Sequence, residues 1–514
     1  MNNQKNRALS PTESLAELKS HYRTLDGLRA AQSLMYWDQA THLPERGAKM
    51  RGEHLSQLAR VSHQLETDPK IEAWLSCLEN HGGSLDAESI DRDLVRVVRQ
   101  DYDRSVKVPE KLVSEMSALA SQSYELWKKA RGENNFVLVV EVLKRTIDLR
   151  KQFAEHIKKP NHKAPMDPLI DLEDPGFTTA QILPLFGDLR SHLVPLLKKL
   201  NEAGSFDRSC LMQAITPAQQ LKFGETVIRK LGYDFNRGRQ DLTHHPFMVR
   251  IAGGDVRITT RCKENDFSEC LFSTIHEAGH AMYELGIDES LDGTPLGQGA
   301  SSGVHESQSR LWENMVARGL PFWEHFYPIL KAEIPGVFDH VPLKVFHRAI
   351  NRTERGLIRT DADEVSYNLH VMIRFDLEAE LFAGTLDVKS LPDAWNERYR
   401  QDLGINPSHL SEGVLQDVHW FHGGLGGTFQ SYTIGNILSA QLFAAAQKQI
   451  PNLDHHFRLG EFSPLRDWLR INLHQYGRRL EIPDLIVRST GQPLAMDDYV
   501  SYLEGKYLQL LNQE

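Results

Sequence analysis

Apolar residues recur at three- and four-residue spacing along most of this chain, with good helix formers between them, as in "SLAELKSHYRTLDGLRAAQSL" and "LVRVVRQDYDRSVKVPEKLVSEMSALASQSYELWKKA". That period builds apolar stripes on helices, so the chain is read as all-α, predominantly helical. One segment departs from it. "HPFMVRIAGGDVRITTR" alternates β-branched and polar residues about Gly253 and Gly254, the signal of a small β-hairpin. Such a pair offers an open edge along which an extended peptide can lie as an added strand. Pro/Gly/Asp-rich breaks at "KKPNHKAPMDPLIDLEDPGF" and "GIDESLDGTPLGQGASSG" read as loops that shape a site, not as linkers.

With 514 residues, the expectation is one large domain or two closely packed ones. The net charge of −10, from 59 basic and 69 acidic side chains, argues against nucleic acid as a partner. The N-terminus lacks a basic start followed by an apolar run, and no stretch is long enough to span a membrane, so a cytoplasmic protein is expected. Cys77, Cys210, Cys262 and Cys270 form no disulfide framework and are expected to be reduced and mostly buried.

The strongest chemical signal is "FSTIHEAGHAMYE", residues 272–284. His276 and His280 are four apart, which in a helix puts both imidazoles on one face within reach of one ion. Asp266 and Glu269 suggest a capping box at the start of that helix and Gly286 a cap at its end. Gly279, costly inside a helix, suggests close packing or ligand approach there. Glu277 turns away from the ion yet can reach a water on it, the general-base position of an H-E-x-x-H metallopeptidase.

A catalytic zinc takes three protein ligands and keeps one position open. Glu306 in "GVHESQSRLWENMV" is the favoured third, on a second helix packed across the first. His305 competes, although neighbours on a helix point about 100° apart, so one of the two faces the ion. Glu284 is read as an outer hydrogen-bonding partner, Glu289 falls in a loop, and Arg310 and Glu313 brace Glu306.

"HPF" (His245 to Phe247), "DVRITTR" (Asp255 to Arg261), "HEAGH", "HESQSRLWEN", "IRTDADEVSYNLHVMIRFDLE" and "GVLQDVHW" occur in this order. Together they closely resemble the carboxypeptidase Taq family of zinc metallocarboxypeptidases. "YWDQATHLPERGAKMRGEHL" and "DLEDPGFTTAQILPLFGDLRSHLVPLL" extend the likeness over nearly the whole chain. The resemblance implies a neurolysin-like gluzincin fold over residues 1–514, a single peptidase unit with two lobes around a deep groove and its metal core at about 240–440. It also implies a homodimer that releases single residues from peptides with a free C-terminus, broadly but poorly at proline. One Zn2+ per subunit is implied, held by His276, His280 and Glu306 with Glu277 as base; Co2+ or Mn2+ are admissible substitutes.

A carboxypeptidase also needs a cation for the substrate's terminal carboxylate and a donor for the tetrahedral oxyanion. Arg359 of "LIRTDADE", taken to begin a helix, is the favoured cation. Arg257 and Arg261 on the hairpin are rivals, and His245 is a further substrate-binding candidate. His419 and Tyr432 on the glycine-rich stretch after "QDVHW" are the oxyanion candidates. There the chain departs from the family's G-Y-F-P-x-Y: "GGTFQSY" is one residue longer and lacks the first tyrosine and the proline. Tyr432 matches the second tyrosine, and the glycines suggest a movable lid. An oligopeptidase or dipeptidyl carboxypeptidase on the same scaffold, and a helical binding scaffold with a spent site, are the alternative readings.

Overall fold

The computed structural model describes residues 9–81, 86 and 89–512; the first eight residues, on which part of the leaderless reading falls, lie outside the described residues. Twenty α-helices and a three-stranded sheet make up the regular structure of the described residues. None of these helices is long and apolar enough to cross a membrane.

The expected hairpin is β2 (Met248–Ala252) and β3 (Asp255–Thr260), antiparallel, with Met248 opposite Ile258 and a register shift between Arg250 and Ala252. A third strand, β1 (Gln240–Leu242), pairs parallel to β3 and makes the order β1-β3-β2. Three residues are too few to show a two-residue period, so β1 left no signal in the sequence. β2 has an open edge. Thr259 N–H donates to Phe247 O (2.9 Å), and with alternation along the ladder the backbone groups of Met248 and Arg250 point away from β3.

The histidine helix runs Phe267–Gly286 directly after the sheet. Its cap is Asp266 alone, whose carboxylate accepts from Ser268 N–H at 3.1 Å. Glu269 does not reach back as a capping box requires; Arg261 and Lys263, on the preceding connection, draw it into ion pairs instead. Gly286 is the last helical residue, with Ile287 as C-cap. The cysteine expectation also fails here: the chain folds back from β3 into the helix, bringing the Cα atoms of Cys262 and Cys270 to 4.6 Å, and the two are joined as a disulfide. Cys77 and Cys210 are free.

Two hydrophobic clusters organise the packing. The large one surrounds the histidine helix and the later helices. A smaller one joins the helices Pro11–Thr41, Pro69–Asn80 and Ile90–Lys107 through Leu18, Leu25, Ile71, Leu75 and Val98, and meets the rest through Ile287, Leu291 and Leu296. Between these regions a cleft of about 580 Å3 is bordered by Ser33 and Tyr36 of the first helix, Arg250 on the edge strand, and Glu284 and Gly299.

Candidate metal centre

Glu306 lies on the helix Ser302–Arg310, which continues into a π-helical stretch, Leu311–Val316. Glycines let the backbones meet. A methyl group at Gly279 would lie 2.8 Å from Gln308 O and Ser309 Cα, and one at Gly435, on the helix Phe429–Gln449, would lie 2.7 Å from Glu306 Cβ and Cγ. Gly279 thus marks helix packing, one of the two reasons its presence suggested. Between these two close approaches the Glu306 carboxylate is directed at the histidines. Its Oε2 is 3.6 Å from both His276 Nε2 and His280 Nε2, and one donor atom from each of the three residues lies within 4.8 Å of the others.

Outer hydrogen bonds orient this set. Glu313 Oε2 accepts from His276 Nδ1 (3.0 Å) and from Arg310 NH1 (3.1 Å), while Arg310 Nε donates to Glu306 Oε1 (2.7 Å). Burial works against the Glu313 carboxylate, but Arg310, His276 and Arg318 outweigh it and hold its pKa far below the ordinary value. On the other side His305, the rival ligand, packs its Nδ1 against His280 Nδ1 (2.7 Å) and its Nε2 against Glu284 Oε1 (2.9 Å). Glu284 can only accept, so we assign the proton to His305 Nε2; His305 Nδ1 then accepts from His280 Nδ1–H. Both ligand-spaced histidines therefore present an unprotonated Nε2 toward Glu306. Two imidazoles and a carboxylate, each oriented from behind, make a donor set that fits a divalent metal ion. Glu289 is mostly exposed and lies 3.7 Å from Arg237.

Glu277 follows His276 and is buried at 7 % exposure. Burial, aided by Glu306 and Glu313, pushes its pKa up to about 7; a cation held by the three donors would pull it down again. It is a carboxylate able to exchange a proton near neutrality.

The other predicted residues divide into two groups. Arg359, Tyr432 and His419 come together around Asp417, Tyr367 and Phe429. Arg359 sits in a 3-10 turn, Arg359–Asp361, ahead of the helix Ser366–Ala383 and so does not begin it; Ile358 before the turn and Ala362 after it are both extended. Its NH2 donates to Asp417 Oδ1 (2.8 Å) and its NH1 to Tyr367 Oη (3.2 Å), and it is 5 % exposed. The Tyr367 ring packs edge-on to Tyr432 at 6.2 Å and carries the Arg310 guanidinium at 4.7 Å, which joins the cluster to Glu306. Burial, with Tyr367 and Glu306 nearby, raises the pKa of Tyr432, so its hydroxyl stays protonated. His419 leans on Phe429 (5.1 Å), with Nδ1 3.5 Å from Asp417 Oδ1.

The second group makes no hydrogen bond or ion pair to His276, His280 or Glu306 among the described residues. Arg257 is held by Asp255 (2.8 Å twice) and stacks over Trp37 at 4.3 Å. Arg261 pairs with Glu269 and donates to His244 O, and His245 is exposed. Asp417, which Arg374 also contacts through Nε, is the functional-site residue that sequence reasoning missed. It lies inside "GVLQDVHW", two positions before His419, and that spacing was its one visible signal.

The glycine-rich stretch, read as a movable lid, is hydrogen-bonded in this structure at Leu425 and Gly426. Arg150 donates to Leu425 O (2.8 Å) and Gly426 O (3.0 Å), and buried Glu378 accepts from Gly426 N–H (3.1 Å) and Trp420 Nε1 (2.7 Å). Gly426 and Gly427 have φ of +83° and +85°, and a methyl on Gly427 would meet the Leu169 backbone at 2.5 Å. These glycines serve close packing and a left-handed turn.

Residues 17–507 match the family model described as carboxypeptidase Taq (M32) metallopeptidase. The chain is 39% identical over 510 residues to thermostable carboxypeptidase 1 of Thermus thermophilus, covering 98% of this chain and 100% of that one. It is 36% identical over 481 residues to carboxypeptidase 1 of Bacillus subtilis, covering 93% and 95%. Its structure is similar to the crystal structure of M32 carboxypeptidase from Deinococcus radiodurans R1, with a TM-score of 0.93 and 44% identity over 97% of this chain and 99% of that one.

Proposed function

The chain belongs to the carboxypeptidase Taq (M32) family of metallopeptidases, and from that membership we propose that it is a zinc carboxypeptidase releasing single residues from peptides with a free C-terminus, broadly but poorly at proline. As a member of this family it is a metal-dependent peptide hydrolase. The observation that carries the finer reading is the convergence of His276, His280 and Glu306 within 4.8 Å beside the buried carboxylate of Glu277. One zinc ion per subunit fits this donor set, with cobalt or manganese as substitutes. When bound, zinc supplies a Lewis acid for the scissile carbonyl and acidifies a water.

The chain's own residues do the rest. Glu277 takes the proton of the attacking water and passes it to the leaving amine. Tyr432, protonated and beside Glu306, donates to the developing oxyanion, with His419 as the further donor of the same cluster. Arg359 is steadied by Asp417 and Tyr367. Of its five N–H groups three are engaged, counted as one each on Nε, NH1 and NH2, which leaves two for the substrate carboxylate. Arg257, Arg261 and His245 serve, on this reading, only more distant parts of a peptide. The free edge of β2 beside the 580 Å3 cleft supports an extended peptide lying along it in a single peptidase unit with the groove between two walls. We further infer a cytoplasmic homodimer.

The test is Glu277→Gln. Zinc retained with hydrolysis nearly abolished is the expected result, and unchanged turnover refutes the mechanism. Product analysis on a blocked peptide of mixed sequence decides specificity: single residues are expected, whereas dipeptides establish the dipeptidyl alternative. Release from a C-terminally amidated peptide at the same rate removes the carboxylate-anchoring role of Arg359.

A further inference from the structure

The segment "DLEDPGF" has no part in the chemistry above, yet its Asp174 is 0 % exposed. Its backbone is fixed on both sides: its N–H donates to Ile170 O (2.8 Å), and its carbonyl accepts from Phe177 N–H (3.2 Å). The carboxylate spans two helices. Oδ1 accepts from Gly303 N–H at 2.7 Å, in the first turn of the Glu306 helix. Oδ2 accepts from Ser431 Oγ at 2.6 Å and Gln430 Nε2 at 3.2 Å, in the first turn of the Tyr432 helix. Among the described residues no lysine, arginine or histidine pairs with it; burial pushes its pKa up, and the neutral donors of the two helix N-termini work against that shift.

We propose that Asp174 is a positioning residue that sets the spacing between Glu306 and Tyr432 by clasping the first turns of the helices that carry them. This rests on the catalytic reading of those two side chains. Glu306 lies three residues beyond Gly303, about 4.5 Å along the helix, and Tyr432 adjoins Ser431. The crossing admits little slack. A methyl group on Gly303 would lie 2.7 Å from Asp174 Oδ1 and 2.8 Å from Ile434 Cγ2, while one on Gly435 would meet Glu306. The two helices touch at these points one turn apart, so a shift at the clasp is carried to the carboxylate and the tyrosine. Neighbouring Glu173 reinforces the link by accepting from Ser302 Oγ at 2.5 Å.

Asparagine at 174 keeps the Gly303 side and loses the charge and part of the other, because the Ser431 hydroxyl can turn to accept but Gln430 Nε2 cannot. The Gly303 N–H cannot turn, so the amide oxygen stays there and the NH2 group faces the Ser431 and Gln430 donors. Asp174→Asn is therefore expected to loosen the Tyr432 helix, lowering kcat about tenfold to a hundredfold with KM within about threefold. In a Tyr432→Phe background the same substitution is expected to cost under about threefold, because the group it positions is gone. Asp174→Ala releases both helices and is expected also to weaken zinc binding about tenfold, read by chelator competition on metal-free protein. Ser431→Ala, a smaller change, is expected to lower kcat in the same direction, and to add nothing to Asp174→Asn. Circular dichroism checks the fold of each variant. A kcat loss that is fully additive with Tyr432→Phe, or wild-type kcat and zinc affinity in folded Asp174→Ala, overturns the proposal. Should the parent release no amino acids, the catalytic reading fails, while zinc affinity still decides whether Asp174 positions Glu306.

Discussion

Replacing Glu313 by glutamine keeps the side chain's length and removes its charge, which isolates what the carboxylate does for His276. In the parent it accepts from His276 Nδ1 at 3.0 Å and pairs with Arg310 and Arg318 at 3.1 and 3.3 Å, with 8 % exposure. A hydrogen bond to a charged group contributes about 1.5–3 kcal/mol and a neutral one about 0.5–1.5, so the substitution weakens the hold on His276 by about 1–1.5 kcal/mol. If the amide NH2 turns toward the imidazole the loss is larger, because two donors then face each other. Outer partners of metal-ligating histidines typically contribute 10–100-fold in affinity, about 1.4–2.7 kcal/mol, and the sum falls at the lower end of that range. The assay is zinc titration of metal-free Glu313→Gln against a chromophoric chelator, with kcat measured at saturating zinc. A dissociation constant raised about five- to thirteenfold, with kcat largely restored by excess zinc, is expected. A constant within about twofold of the parent refutes the view that Glu313 orients a metal ligand.

Two further outcomes follow from packing and titration. Gly435→Ala places a methyl group 2.7 Å from Glu306 Cβ and Cγ; it is expected to cost about 1–3 kcal/mol of stability and to weaken zinc binding, and unchanged values for both in a chelator titration and urea unfolding count against the crossing described here. His347 is buried, hydrogen-bonds Arg318 O at 3.1 Å, and has its pKa pushed down to about 4 by burial and Lys506. Between that value and about 6.5 the unfolded chain binds a proton that the folded chain does not, so the group's contribution is full above the window and lost as pH falls through it, at up to about 1.4 kcal/mol per pH unit. Urea unfolding at pH 7 and 5 is expected to show a smaller drop for His347→Gln than for the parent, and equal drops would contradict this.

The spacing of His276 and His280 and the face of Glu306 were legible because helical geometry converts sequence offset directly into direction. Glu284 was legible as an outer partner for the same reason, whereas Glu313, expected to brace Glu306, instead accepts from His276 and Arg310. What the sequence hid depends on contacts distant along the chain. Arg359 meets Asp417 across 58 positions, and no local period announces that pairing. Arg257 lies on a recognised hairpin and Arg261 just past its end, but Trp37 and Glu269, which settle where their guanidiniums go, lie on helices whose placement no strand pattern reveals. Glycines carry two messages for a related reason: a stretch rich in them reads as freedom, and at Gly427 the Leu169 backbone also leaves no room for a side chain. The cysteine pairing was invisible because it depends on the angle at which β3 hands over to the helix.

Asp417 receives Arg359 and Arg374 and lies 3.5 Å from His419. Asp417, Arg359 and Arg374 are consequently one variable. Truncating any of the three leaves a charge or donor unmatched in a buried place, so single substitutions will each report a similar, large deficit whichever member touches the peptide. An alanine scan would count one role three times. Ranking the three requires paired substitutions, and any natural drift at one position is expected to be accompanied by change at another.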